Sequence, residues 1–267
     1  MSGGLGNQMF QYAFYLSMKA KGIDCRIDNT SFYTTKMHNG FELNRVFQIA
    51  ERLNKPSGLK RIWIQILRKY KPALFLLTDR RYQFSPETYD AKQPYLMGDW
   101  LSPSYFKDIE DVVREHFNFK SISKKNIETS KIMQSCNSVS IHIRRGDYLN
   151  LPNYCVCDEE YYRCAIKHIC ENVYKPVFYV FSNEPDWCES FMQQFGVVFK
   201  IINWNQRSDS YQDMYLMTQC KHNIIANSTF SWWGAWLNNK SDKIVVAPHV
   251  WFKNNNYNIN CPGWHLI

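Results

Sequence analysis

Val139-Ser140-Ile141-His142-Ile143-Arg144-Arg145-Gly146-Asp147-Tyr148 is the stretch on which the fold turns. Residues 139–143 form a short apolar run rich in β-branched side chains, which predicts a buried strand. The strand runs straight into two arginines and a glycine. Downstream the same period repeats. Helices are expected over 161–173, 186–194, 210–219 and 230–237, and strands over 177–181, 197–202, 223–226 and 243–247. Strands at this spacing with helices between them predict a mostly parallel α/β sheet of the Rossmann type. In such sheets ligands bind outside the carboxyl ends of the strands.

Upstream the pattern is less regular. Gly3-Gly4-Leu5-Gly6-Asn7-Gln8 leads into a helix-prone run over 9–20 and a stretch over 23–28 that reads as a strand. A glycine loop of this kind normally follows a strand, so a first strand is expected to be lacking here. Residues 30–55 are loop-rich. Residues 59–71 read as an amphipathic helix, with Leu59, Ile62, Trp63, Ile66, Leu67 and Tyr70 on one face and Lys60, Arg61, Arg68, Lys69 and Lys71 around it. It either packs on a core or lies on a membrane surface. The lysine-rich run 120–131 reads as a linker, giving an N-terminal domain over 1–125 and a C-terminal domain over 126–267.

The 267 residues are 45% hydrophobic and 21% charged, a composition that excludes wholesale disorder. The net charge of +8 suits an anionic partner: a nucleotide diphosphate, a nucleic acid or an acidic membrane surface. The basic residues make no continuous patch with RNA-binding motifs, which sets nucleic acid aside. No apolar stretch is long enough to span a bilayer, and no signal peptide opens the chain. The nine cysteines are an odd, scattered set, read as reduced thiols of a cytoplasmic protein. Cys155, Cys157, Cys164, Cys170 and His168 lack the spacing of zinc knuckles, so no metal site is expected.

The chemistry-bearing residues lie just past strand ends. Arg144 and Arg145 offer rigid, permanently charged donor forks to paired phosphate oxygens. Asp147 either accepts from a hydroxyl or orients an arginine; the plainer alternative is a surface Arg–Asp pair. Asn227-Ser228-Thr229-Phe230-Ser231-Trp232-Trp233-Gly234 sits between a strand and a helix, where hydroxyls and backbone N–H groups attract anions. One hydroxyl is explained as an N-cap, but three in four positions are not. Asp213 is either a solvated helix charge or an acceptor for the two donors on guanine's edge. The opening loop, with Gly4, Gly6, Asn7 and Gln8, is a further candidate for wrapping a diphosphate. Neither a P-loop nor a complete dinucleotide fingerprint is present.

Taken together these segments resemble the bacterial and animal α-1,2-fucosyltransferase family, glycosyltransferase family 11. The resemblance is carried by residues 3–13, by His38-Asn39-Gly40-Phe41-Glu42-Leu43, by Gly98-Asp99-Trp100 with Tyr105-Phe106, by residues 142–148, by Phe181-Ser182-Asn183 with Trp187, and by residues 227–237. The matches run in order over nearly the whole chain. The resemblance implies a GT-B-like α/β fold in which two Rossmann-type domains face a central cleft. The N-terminal domain would take the acceptor and the C-terminal domain GDP-fucose. It also implies inversion at the anomeric carbon and no metal, and no D-x-D stands where a metal would bridge the diphosphate. Leu101 stands where the resemblance leads one to expect glutamine.

By the same resemblance Arg144 would neutralise the leaving diphosphate, and His142 and Asp213 would contact the nucleoside. Asn227, Ser228, Thr229, Phe230 and Ser231 would line the phosphate or fucose, with Arg145 either binding or structural. Glu42, Asp147 and His38 are the candidates for a base toward the galactoside hydroxyl, although Glu42 could equally anchor Arg45. The acceptor implied is a terminal β-galactoside, free or lipid-linked, and a lipid-linked one would suit a membrane-surface helix at 59–71 and a place at the inner face of the plasma membrane. The rival class is a glycan-binding module whose tryptophans stack on sugars.

Overall fold

A computed structural model describes the chain except residues 34–37, 50–57, 60–61, 64–65, 67–69, 71–75, 80–82, 94, 146–152, 154–155, 254–256 and 258; for 33 and 76–79 it describes the backbone alone. The chain divides into two compact units, Met1–Lys120 and Ser121–Ile267.

The first unit is built on helix α1, Leu5–Ala20, which is buried along almost its whole length. Gly3 precedes it with φ of +81°, the left-handed region where a Cβ is penalised. Gln8 is fully buried and ties the opening loop to its neighbours. Its Nε2 donates to the carbonyls of Gly3 (3.0 Å) and Gly40 (2.9 Å), and its Oε1 accepts from the Glu42 N–H (2.9 Å). Phe14 of α1 stacks on Trp100 with ring centroids 4.3 Å apart. The unit also contains the short helix α2, Leu43–Val46, the parallel pair β1, Leu76–Asp79, and β2, Tyr95–Gly98, and helix α3, Glu110–His116. The strand expected over 23–28 is not formed. Residues 23, 25 and 27 do alternate in burial with exposed 24 and 26, but no described strand pairs with them.

The second unit opens with helix α4, Lys124–Gln134, whose N-cap Ser123 accepts a hydrogen bond from the Asn126 N–H. The linker reading of 120–131 is thereby corrected. Lys124, Lys125 and Lys131 are exposed on the outer face of a helix whose Asn126, Thr129, Ser130 and Met133 are buried. There follow β3 (Ser138–Ile143), α5 (Glu159–Asn172), β4 (Val177–Ser182), α6 (Pro185–Gln193), β5 (Val198–Ile202), α7 (Tyr211–Gln219), β6 (His222–Ile224), α8 (Thr229–Trp236), β7 (Val245–Ala247) and β8 (His265–Leu266). All six strands are parallel, in the order β5-β4-β3-β6-β7-β8. Counted within the unit this is 3-2-1-4-5-6, the doubly wound order with its switch point between β3 and β6.

Strand alternation sorts the core into two layers. Val139, Ile141, Ile143, Phe178 and Val180 face Tyr161, Tyr162, Ile166, Ile169 and Phe191 of α5 and α6. Tyr179, Phe181 and Ile202 face Met133 of α4 and Leu216 and Met217 of α7. Burial on both faces explains why β3 and β4 read as unbroken apolar runs. Ser140 and His142 alternate with the first set and so share the second face. Helices α7 and α8 approach closely: a Cβ at Gly234 would lie 2.9 Å from the Met217 Cβ. Gly234→Ala is therefore expected to destabilise the protein by about 1–3 kcal/mol, overpacking outweighing alanine's better helix propensity. Urea denaturation measures this, and an unchanged or higher midpoint would mean that the helices can separate.

Candidate functional site

The two segments singled out in the second half meet at the switch point. Val139, Ser140 and Ile141 pair with His222, Asn223 and Ile224, so the chain leaving β3 runs beside the chain leaving β6. The first carries His142 and Arg144, and the second enters α8 through Asn227 and Ser228. The His142 and Phe230 rings face each other across the crevice with centroids 6.0 Å apart.

His142 is buried, and its Nδ1 has no hydrogen-bond partner among the described residues. Burial, assisted by the positive charge of Arg144, pushes its pKa down to about 3. The imidazole is thus neutral at physiological pH. The Arg144 backbone is braced from beneath. Tyr162, on the buried face of α5, donates its hydroxyl to the His142 carbonyl (3.2 Å) and accepts from the Arg144 N–H (3.3 Å). The Arg145 side chain is held by two neighbours. Its Nε bonds Glu184 at 3.2 Å, and its guanidinium lies 3.9 Å over the Trp187 ring. That holds Arg145 against the start of α6. Gly146 and Asp147 lie outside the described residues.

At the other wall Ser228 is the N-cap of α8, in extended conformation, yet its side chain makes no capping hydrogen bond. The plain capping explanation for these hydroxyls is therefore not the one the structure adopts. Helix geometry leaves the first N–H groups of α8 without intrahelical partners, and a dipole's positive end points outward there. Ser231 is buried and bonds the Ser228 carbonyl at 3.3 Å, while the Asn227 amide bonds the Trp251 carbonyl at 3.0 Å. Both shape the turn. Thr229 and Phe230 stay half-buried. Trp232 and Trp233 are wholly buried and belong to the core, so neither presents a face for sugar stacking.

Asp213 lies in the first turn of α7, beside the end of β5. Burial raises its pKa to about 7, opposed by a 2.8 Å hydrogen bond from Asn205 Nδ2. Phe230, Trp204 and Leu216 pack on one apolar cluster, which links α8 to this corner. The carboxyl edge of the sheet thus carries the His142 imidazole, the Arg144 backbone, the start of α8 and, at the start of α7, Asp213.

The remaining candidates belong to the first unit. Gly4 is the N-cap of α1, Gly6 and Asn7 lie in its first turn, and the Gln8 amide is occupied by backbone as described. The ring of exposed His38, at φ +52°, lies against Gly4. Glu42 is buried. Burial raises its pKa, against the pull of Arg45, whose Nη2 is 2.6 Å from its Oε1. Of the potential zinc ligands, Cys155 is outside the described residues, and no group of three metal-ligating side chains occurs among the described ones. Sequence reasoning missed Tyr162, Glu184, Asn126, Trp204 and Asn205. Each looks like an ordinary helix or loop residue until the sheet is assembled.

A profile of Glycosyl transferase family 11 matches residues 1–267. The chain belongs to that family. This family 11 chain is 35% identical over 289 residues to the O-antigen biosynthesis glycosyltransferase WbnK of Escherichia coli, covering 96% of the chain and 95% of the relative. It is 32% identical over 277 residues to an Alpha-1,2-colitosyltransferase of Escherichia coli, covering 97% and 93%. Among solved structures, the fucosyltransferase NodZ from Bradyrhizobium superposes with a TM-score of 0.51 at 11% identity, over 86% of this chain and 88% of that one. At that identity the likeness speaks for the fold alone, the parallel α/β architecture of GT-B-type fucosyltransferases.

Because Tyr162 serves two backbone groups at the mouth of the site, Tyr162→Phe is expected to fold with a loss of about 1–3 kcal/mol in stability. Glycosyl transfer should fall roughly tenfold as the Arg144 segment loosens. Denaturation and steady-state kinetics on the same preparation measure both. Unchanged turnover would show that Arg144 is placed without this brace.

Proposed function

We infer that this family 11 glycosyltransferase moves L-fucose from GDP-β-L-fucose to the 2-hydroxyl of a terminal β-galactoside, with inversion. The observation that carries the reading is the register of β3 against β6, which runs the chain carrying His142 and Arg144 beside the chain that enters α8, with the His142 and Phe230 ring centroids 6.0 Å apart. That is where a departing guanosine diphosphate needs positive potential. In the reaction the bond from the anomeric carbon to the β-phosphate oxygen breaks as the bond to the galactose 2-oxygen forms. The leaving diphosphate gains charge, and a fixed guanidinium with fixed N–H dipoles lowers that barrier. His142 and Asp213 hold the nucleoside, Ser228, Thr229 and Phe230 line the phosphate or sugar, and Arg145 acts as a brace for Arg144. The acceptor is assigned to the first unit. Its hydroxyl proton goes to Asp147, His38 or Glu42. His38 is exposed, whereas Glu42 is buried and already bonded to Arg45. No metal takes part in this scheme.

One observation favours a second donor. The colitosyltransferase relative is similar along nearly the full length of the chain, and colitose is fucose without its 3-hydroxyl. Incubation with GDP-fucose or GDP-colitose and a panel of galactosides, followed by linkage determination of the product, separates the two. A 2-linked fucoside formed equally with and without chelator is the expected result. Transfer of colitose only, another linkage, or a metal-restored rate would replace this reading. Arg144→Ala is expected to lower transfer at least about 10²-fold with the fold intact, the usual scale for removing one transition-state donor. Wild-type turnover in that variant would remove Arg144 from the mechanism.

The acceptor that fits the O-antigen relative is a lipid-linked glycan at the cytoplasmic face of the membrane. Leu59, Ile62, Trp63 and Ile66 support peripheral attachment. They are 78, 55, 63 and 45% exposed, and their helical backbone places them within about 100° of arc. Between residues 52 and 78 the sequence carries seven basic residues and no acidic one, which suits an anionic bilayer. Trp63→Ser with Ile66→Ser is expected to abolish co-sedimentation with phosphatidylglycerol-containing vesicles while transfer to a soluble galactoside persists. Equal sedimentation of wild type and variant would rule this surface out.

A further inference from the structure

Behind Asp213 lies a group of buried amides with no part in the scheme above. Asn126 of α4 is wholly buried and meets Asn205, Gln212 and Trp204. The orientation of its amide is dictated from two sides. The Trp204 indole can only donate, and its Nε1 lies 2.9 Å from Asn126 Oδ1, which must therefore accept. The backbone N–H of Ser123 donates to Gln212 Oε1 at 2.8 Å. That oxygen is an acceptor and requires the Nδ2 of Asn126, also 2.8 Å away, to be the donor.

The direction then propagates. Asn126 Nδ2 donates to Asn205 Oδ1 at 2.8 Å, and Asn205 Nδ2 returns a bond to Asn126 Oδ1 at 3.3 Å. With its oxygen so engaged, Asn205 must turn its amino group to Asp213, which it reaches at 2.8 Å. Flipping either amide would set oxygen against oxygen at several contacts, inside a protein interior where unsatisfied polar atoms are costly. Indole, amide, amide and carboxylate thus form a chain with one sense.

We propose that Trp204, Asn126 and Asn205 form a one-directional relay that positions Asp213 as an acceptor for a two-donor nucleobase edge, that of guanine. The three are positioning residues acting through Asp213, and the proposal rests on the assignment of Asp213 to the nucleoside. The hydrogen bond from Asn205 favours the ionised, acceptor-only form of Asp213 and opposes burial, which still leaves its pKa raised to about 7. Adenine, which presents an acceptor at N1, finds no matching partner. The neighbouring elements supply no charge that would do this instead. Lys124, Lys125, Glu128 and Lys131 are on α4, with Lys125 over the Trp204 ring at 3.9 Å. Lys200 is on β5, Arg207 and Asp209 are on the connecting turn, and α8 carries no ionisable group. None of these is among the causes of the Asp213 shift.

The sign follows from the chemistry. A base that needs the carboxylate binds above the Asp213 pKa and loses affinity as pH falls through it, near 7 in the unliganded protein. Losing the Asn205 donor raises that pKa further. The test is calorimetric titration of GDP, inosine diphosphate and ADP from pH 5.5 to 9, with the Asp213 carboxyl followed separately by carbon NMR without nucleotide. Asn205→Ala is expected to raise the carboxyl midpoint by about one unit, which weakens GDP about fivefold at pH 7 and restores it toward pH 9. Trp204→Phe should shift both in the same direction by less. An unmoved carboxyl midpoint in both variants, or a GDP loss equal at every pH, would reduce the relay to a structural role. Asp213→Asn is expected to bind GDP weakly and without pH dependence. Wild-type GDP affinity in that variant would overturn the nucleoside assignment, whatever the relay does to the carboxyl midpoint.

Discussion

The switch point between β3 and β6 is the constraint on which the second unit depends. In a parallel sheet each return crossover is right-handed, so a chain that adds strands first to one side and then to the other must part its connections once. The parting leaves an open crevice at the carboxyl edge. Here the strand entering the crevice from one side ends in His142 and Arg144, and the strand from the other side feeds α8. No long-range recognition between the two segments is needed to assemble the site, because the register of β3 against β6 already does so.

Around that crevice the protein holds polar groups in two distinct ways. Some are hydrogen-bonded or stacked and hold neighbours in place: Tyr162 the backbone of Arg144, Glu184 and Trp187 the side chain of Arg145, and the Trp204–Asn126–Asn205 chain the side chain of Asp213. Others are left open. His142 Nδ1 lacks a partner among the described residues, and the Ser228 hydroxyl does not cap its helix. Rigid support beneath unsatisfied groups is the arrangement expected of a site that stabilises developing charge without reorganising.

Much of this was legible in the sequence, and the gaps have physical causes. Strand β3 and helix α8 were read to within a residue or two because apolar runs buried on both faces are unambiguous when turn formers bound them. Strand β8, only His265–Leu266, carries too few residues for any period, and β1 and β2 lie in an irregular region. Lysines on one face made α4 look like a linker, since its buried face is polar: Asn126, Thr129 and Ser130. That same feature hid the relay, for amides in a lysine-rich run carry no signal until Trp204 and Asn205 arrive from β5. At the site, Arg144 and the hydroxyls of 228–231 stood out by residue type. Tyr162 did not, because a tyrosine on the apolar face of a helix looks like core.

The most direct measurement of the central claim is a crystal structure of the protein with GDP bound. The account predicts the pyrophosphate at the β3–β6 crevice, within hydrogen-bonding distance of the Arg144 guanidinium and the first N–H groups of α8, with the base toward Asp213. A nucleotide lodged elsewhere, or a pyrophosphate held without Arg144 and α8, would contradict it.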